Sequence, residues 1–128
     1  MILKLSWLSI ADNTNISWFQ VFHLYHGFDR RRTGLGFYVK GSARVVEPPR
    51  LEYKGFKFKF SRKGDICRSV IVRSKFPARY LDGLTLYFPQ NNALVIKKKR
   101  DLRSKYIFGP VSKTLRGKKV KTLFRTVL

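Results

Sequence analysis

Few side chains in this sequence can do acid–base or covalent chemistry. Against 28 Lys and Arg stand 7 Asp and Glu, 2 His and 1 Cys. Asp12, Asp65 and Asp82 each fall in a turn, where a short carboxylate that bonds its own backbone has a sufficient structural role. His23 and His26 lie three apart at the end of a strand-like run, so they point to opposite faces and do not share a metal. Lone Cys67 can form neither an intramolecular disulfide nor a thiolate zinc site, and reads as a small packed hydrophobe. No motif gathers paired carboxylates or a Ser-His-Asp set into a pocket. The expectation is a protein that is not an enzyme and carries no metal site or cofactor.

The abundant chemistry is positive charge. A formal net charge of +21 on 128 residues repels itself in a compact chain unless a polyanion neutralises it. No apolar run reaches the roughly 20 residues of a membrane span, which leaves nucleic acid as the better partner. The first 64 residues hold 12 bases and 4 acids, and the last 64 hold 16 and 3, so this is no neutral domain with a basic tail. Two stretches concentrate the charge. In Asp29-Arg30-Arg31-Arg32-Thr33-Gly34-Leu35-Gly36, guanidinium forks match phosphate oxygens and glycine lets a backbone approach a ligand. Arg30, Arg31, Arg32, Thr33 and Gly34 are therefore candidate phosphate contacts. The glycine spacing is not that of a nucleotide-binding turn, because no Lys-Ser/Thr follows and the neighbouring segments read as strands. The second stretch, Lys97 to Lys105, carries one acid among six bases; Lys97, Lys98, Lys99, Arg100, Arg103 and Lys105 are the candidates there. Aromatics interleave with lysines at Tyr53-Lys54-Gly55-Phe56-Lys57-Phe58-Lys59-Phe60. Their strict alternation favours the core-facing half of a strand over a stacking platform for bases.

These loops need a scaffold, and the chain reads as mainly β. One strand is expected within Met1 to Ala11, a turn at Asp12-Asn13-Thr14-Asn15 with Asn15 in the left-handed position, a second strand over Ser17 to Tyr25 and a third over Phe37 to Val46, ended by Pro48-Pro49. From Gly64 to Ile96 come three strand-like runs, Ile66 to Arg73, Leu84 to Phe88 and Ala93 to Lys97, separated by turns that include Asp82-Gly83. Short meandering strands of this kind close into a small barrel, which removes exposed edges. Pro110 suits a helix start, Ser112 to Arg116 can form a helix that Gly117 ends, and Val120 to Leu128 has the spacing of a second one.

Three aliphatics (Val70, Ile71, Val72), nine residues, Asp82-Gly83, then Phe88, Asn91 and Leu94-Val95 stand in a recognisable order, and Ile107-Phe108-Gly109-Pro110-Val111 with Leu115-Arg116 forms a second block. Together these resemble the signature of the universal large-subunit ribosomal protein fourteen family, and the match continues to the last residue. The resemblance implies a single domain over 1–128: a small closed five-stranded antiparallel barrel over about 1–107, with a projecting β-ribbon near 47–63 and one or two short C-terminal helices within about 108–128. It also implies a structural protein of the large ribosomal subunit whose basic-then-glycine loop, here 29–36, lies against ribosomal RNA; the 97–105 run joins it on its charge alone. The protein's place would be the subunit interface, contributing to an intersubunit bridge. Implied partners are small-subunit ribosomal RNA, a large-subunit protein of family nineteen and the ribosome-silencing factor, with Arg116, Lys118 and Lys119 near them. The sequence departs from the family at Thr14-Asn15-Ile16 and over 47–60. With the charge excess, the Phe/Tyr richness and a family-type start at Met1, these departures point to a divergent mitochondrial ribosomal protein; a plastid or bacterial cytoplasmic origin stays open. The competing reading is a free oligonucleotide-binding barrel on single strands, using the Tyr53 to Phe60 aromatics.

Overall fold

A computed structural model of the chain describes residues 2–25, 27, 31–48, 61–97, 102–103 and 107–112. Among these the regular structure is β. In chain order the strands are β1 (Ile2–Leu3), β2 (Trp7–Ile10), β3 (Ile16–Leu24), β4 (Arg32–Thr33), β5 (Tyr38–Val46), β6 (Ile66–Arg73), β7 (Ala78–Arg79), β8 (Thr85–Leu86) and β9 (Asn92–Ile96). Five of them close a barrel in the order β2-β3-β5-β6-β9. Each is joined to the next in sequence, and the last returns to the first. The expected barrel was antiparallel, and four of its pairings are; β2 and β9 run parallel. Topology requires this, because an odd number of alternating strands brings first and last together pointing the same way.

Three expectations need correction. The single strand within the first eleven residues is two, since the chain turns at Lys4-Leu5. Leu5 takes a left-handed φ of 69°, its N–H donates to the Val21 carbonyl, and Ser6 closes the turn by donating its N–H to Leu3 and accepting the Leu3 N–H on its hydroxyl. The run Leu84 to Phe88 is no barrel strand. β6 pairs directly with β9, and the intervening residues fold on themselves as the β7–β8 hairpin. Asp82 caps its turn by accepting the Leu84 N–H, and Gly83 lies at φ 86°. Third, Asn15 is not left-handed. Its side chain is engaged instead: the amide donates to the Ser61 and Glu47 carbonyls and its oxygen accepts the Ser61 N–H at 3.1 Å. This side chain mimics a strand edge and ties together the two ends of the segment between β5 and β6. The core of the expected ribbon (49–60) and both expected helices (113–128) lie outside the described residues, and 108–112 are not helical.

The interior is built from alternate residues: Leu8, Phe19, Val21, Leu24, Val39, Ala43, Cys67, Ile71, Ala93 and Val95 form one buried cluster. Strict alternation fails wherever the register shifts. Trp18 faces Val45 while Phe19 faces Ala43, so Arg44 is an extra residue on β5. Val21 faces Gly41 while His23 faces Lys40, so Phe22 is an extra residue on β3. Such bulges turn neighbouring side chains to the same side, which is why Phe22 and His23 are both exposed between buried Val21 and Leu24. Gly41 is required by close approach, because a β-carbon there would overlap the Gln20 carbonyl oxygen of the neighbouring strand.

A second cluster lies outside the barrel wall. Val70, Val72, Leu94 and Ile96 face outward from β6 and β9 and are covered by Val111, with Leu102 and Ile107 packed against them. Arg73 fastens this cover. Its Nε donates to Asn92 Oδ1 at 2.9 Å, and one terminal nitrogen donates to the Phe108 and Pro110 carbonyls. Burial lowers its pKa below the ordinary guanidinium value. Gly109, at φ 83°, leaves the space the guanidinium occupies.

Candidate nucleic-acid interface

Strand direction assigns each loop to an end of the barrel. The segments 25–37 and 74–91 leave from one end. The turn 11–15, the segment 47–65 and the residues after β9 leave from the other. Of the candidate cations, Arg31 and Arg32 are therefore at one end, and Lys97 and Arg103 at the other. An eight-residue strand such as β6 rises roughly 27 Å, so they do not form one patch.

At the first end, β4 pairs with β1, setting Arg32 opposite Leu3 and Thr33 opposite Ile2. Gly36 N–H donates to the Ile71 carbonyl at 2.9 Å. The stretch is thus tied to β1 on one side and to barrel strand β6 on the other, and Arg31 and Arg32 are exposed. Thr33 behaves differently from its sequence reading: its side chain is buried and its hydroxyl has no hydrogen-bond partner. Gly34 is half-buried, and Arg30 lies outside the described residues.

At the second end, Lys97 is exposed where β9 ends. The chain then folds back, with Leu102 bridging Ile96 and Arg103 N–H donating to the Val95 carbonyl. The Arg103 guanidinium donates to Ser61 Oγ at 2.7 Å. With the Asn15–Ser61 pair this makes one network that joins the 11–15 turn, the base of the 47–65 segment and the residues after β9. At least part of the Arg103 fork is used internally. Asp12 sits beneath, accepting from Thr14 N–H, Thr14 hydroxyl and Val95 N–H. Burial raises its carboxyl above the usual aspartate value of 3.8, partly offset by those bonds and by the charge of Arg103. Lys98, Lys99, Arg100, Lys105, Arg116, Lys118 and Lys119 lie outside the described residues.

Between the ends is a surface that reading by sequence did not single out. Trp7 and Trp18 stand on the outer face of β2 and β3, 48% and 39% exposed, with ring centroids 6.5 Å apart at 58°. Along the same face the register aligns His23, Lys40 and Arg68 across three strands. The alternation of β3 and β5 carried a partial signal, but the bulges that decide which residues point out cannot be read from one strand alone.

Among the described residues no His, Cys, Asp and Glu side chains gather as a metal set, and no helix is long and apolar enough to cross a membrane. A family model described as ribosomal protein L14p/L23e matches residues 1–127.

Proposed function

Since the chain belongs to the ribosomal protein L14p/L23e family, and so is a structural protein of the large ribosomal subunit, we propose that it binds large-subunit ribosomal RNA through the cations at both ends of its barrel. The observation that carries this is the exposed Arg31-Arg32 pair on a loop tied to β1 and β6. A rigid barrel pre-orders that loop, so phosphates meet guanidiniums whose position needs little further ordering. Binding draws its free energy from release of counterions along the RNA. Folded RNA offers few readable base edges in its helices, so shape is what these loops recognise. In this reading the protein lies at the subunit interface, contributes to a bridge with small-subunit RNA, and offers Arg116, Lys118 and Lys119 to a family-nineteen neighbour and to the silencing factor. The charge excess and the departures at 14–16 and 47–60 support a mitochondrial ribosome over a plastid or bacterial one.

The connectivity weighs against the free single-strand binder. The oligonucleotide-binding fold is a Greek-key barrel, whereas this barrel is a sequential meander. Its proposed stacking residues, Tyr53 to Phe60, lie outside the described residues. The test is sedimentation of a lysate, with a mitochondrial fraction run alongside, through a sucrose gradient in high salt. The chain is expected to stay with the large subunit. Release to the top of the gradient would sink the assignment, because loosely held basic proteins wash off as phosphate contacts weaken with salt.

A further inference from the structure

We propose that the outer face of β2, β3, β5 and β6 is a second RNA-contact surface, taking unpaired nucleotides whose bases stack on Trp7 and Trp18 and whose phosphates run along Lys40 and Arg68 towards Lys97. The inference rests on the large-subunit RNA reading for the identity of the RNA, but uses none of the same residues at its stacking end.

The register builds the surface row by row. One row holds Ser9 on β2, Trp18 on β3 and Val45 on β5. The next holds Trp7, Gln20, Ser42 and Ile66. The third holds His23, Lys40 and Arg68, and Arg68 pairs with Ile96, the residue before Lys97. Two rows that each hold a tryptophan are thus followed by a basic one, at about 6.8 Å per step, and the basic row leads to Ile96 and Lys97. The bulge at Arg44 adds a further exposed cation beside Val45 and Trp18.

Charge chooses the occupant. Strands β2, β3 and β5 contain no Asp or Glu, and among the described residues the exposed acids are Glu47 and Asp82, on a chain of net charge +21. On these strands a protein partner gains from the tryptophans but meets only cations, the nearest acids being Glu47 and Asp65 at the strand ends, whereas RNA is satisfied by both features. Bases stack on aromatic rings whatever their identity, and cations beside the rings hold the backbone. Trp7 and Trp18 pack tilted against each other yet remain 48% and 39% exposed, which leaves ring surface open to a base.

The chain has 2 Trp in all, both in this surface, so intrinsic tryptophan emission reports on it alone. The full-length protein is titrated with a single-stranded decauridylate carrying a terminal dye, following tryptophan emission and dye anisotropy together. Both signals are expected to change with one saturation curve. Trp18→Leu should weaken binding about tenfold, and Leu81→Ser, on the remote β7–β8 hairpin, should leave it unchanged. Anisotropy that rises while tryptophan emission stays constant would overturn the proposal and leave the loop reading standing; absence of any binding would overturn it as well. In intact large subunits, ultraviolet cross-linking is expected to place a nucleotide on the peptide holding Trp7 and Trp18. An adduct to another protein there would assign the face to a protein partner and refute the RNA proposal. Failure of the sedimentation test would instead remove the ribosomal reading itself, so the two failures are distinguishable.

Discussion

The two sides of this barrel wall meet the same problem with opposite answers. Outward from β6 and β9 point Val70, Val72, Leu94 and Ile96, and Leu102, Ile107 and Val111 of the same chain cover them. Outward from β2, β3 and β5 point Trp7, Trp18 and Val45, which stay exposed. The first side is a core that happens to lie outside the barrel, fastened by the half-buried Arg73. The second is an aromatic surface left open beside cations. An apolar residue on an outward strand position is thus uninformative until one knows what comes back to cover it.

The covered side depends most on Arg73. Arg73→Ala leaves the Asn92 side chain and two carbonyls without their donor, and should destabilise the protein by about 3 kcal/mol in urea unfolding; Arg73→Lys keeps the charge but not the fork, and should recover less than half. Gly109→Ala asks the same of the cover itself. A β-carbon at that positive φ meets the Arg73 guanidinium, and a loss of about 2 kcal/mol is expected by the same measurement. A change under a few tenths would show that the cover does not depend on the arginine.

At the far end, Asn15→Ala removes three hydrogen bonds that tie Glu47 and Ser61. It should cost about 1 to 2 kcal/mol and speed amide exchange at Ser61 more than at Val95. Asp12, nearby, gives a pH signature with a definite sign. Because its folded pKa lies above the ordinary 3.8, the folded state takes up this proton more readily than the unfolded chain. Its contribution to stability is therefore fully present below 3.8 and is lost as pH rises through the raised value. Unfolding free energies of the native protein and Asp12→Asn, measured at intervals between pH 3 and 7, should differ in slope in that direction. The smallest effect belongs to the open side. Trp7→Leu and Trp18→Leu should each shift stability by no more than about 0.5 kcal/mol. A large loss on either would mean that the tryptophans belong to the core after all.

Much of this molecule was determined by its sequence alone. The β-branched runs and Gly/Asn/Asp turns specify a barrel of short strands, since alternation and turn chemistry are local properties of the chain. The family signature is local too, and it led to the large ribosomal subunit. The Arg31-Arg32 pair, proposed above as an RNA contact, could be picked out because a cation cluster beside glycines needs no partner strand to be noticed. The remaining features depend on pairing between distant segments. Leu84 to Phe88 looks as strand-like as β9, yet it pairs with its own neighbours, because a short local hairpin closes at less entropic cost than a further place in the barrel. Thr33 turned inward because its partner is Ile2, some thirty residues away in the chain. Arg103 reads as one base among six, but Ser61 engages it. The row that joins Trp7 to Ile66 and the row that joins His23 to Arg68 exist only through register, and register was set by bulges at Phe22 and Arg44. A bulge reverses which face every later residue presents. The decisive information lies in the relation of two strands, and neither strand carries it by itself.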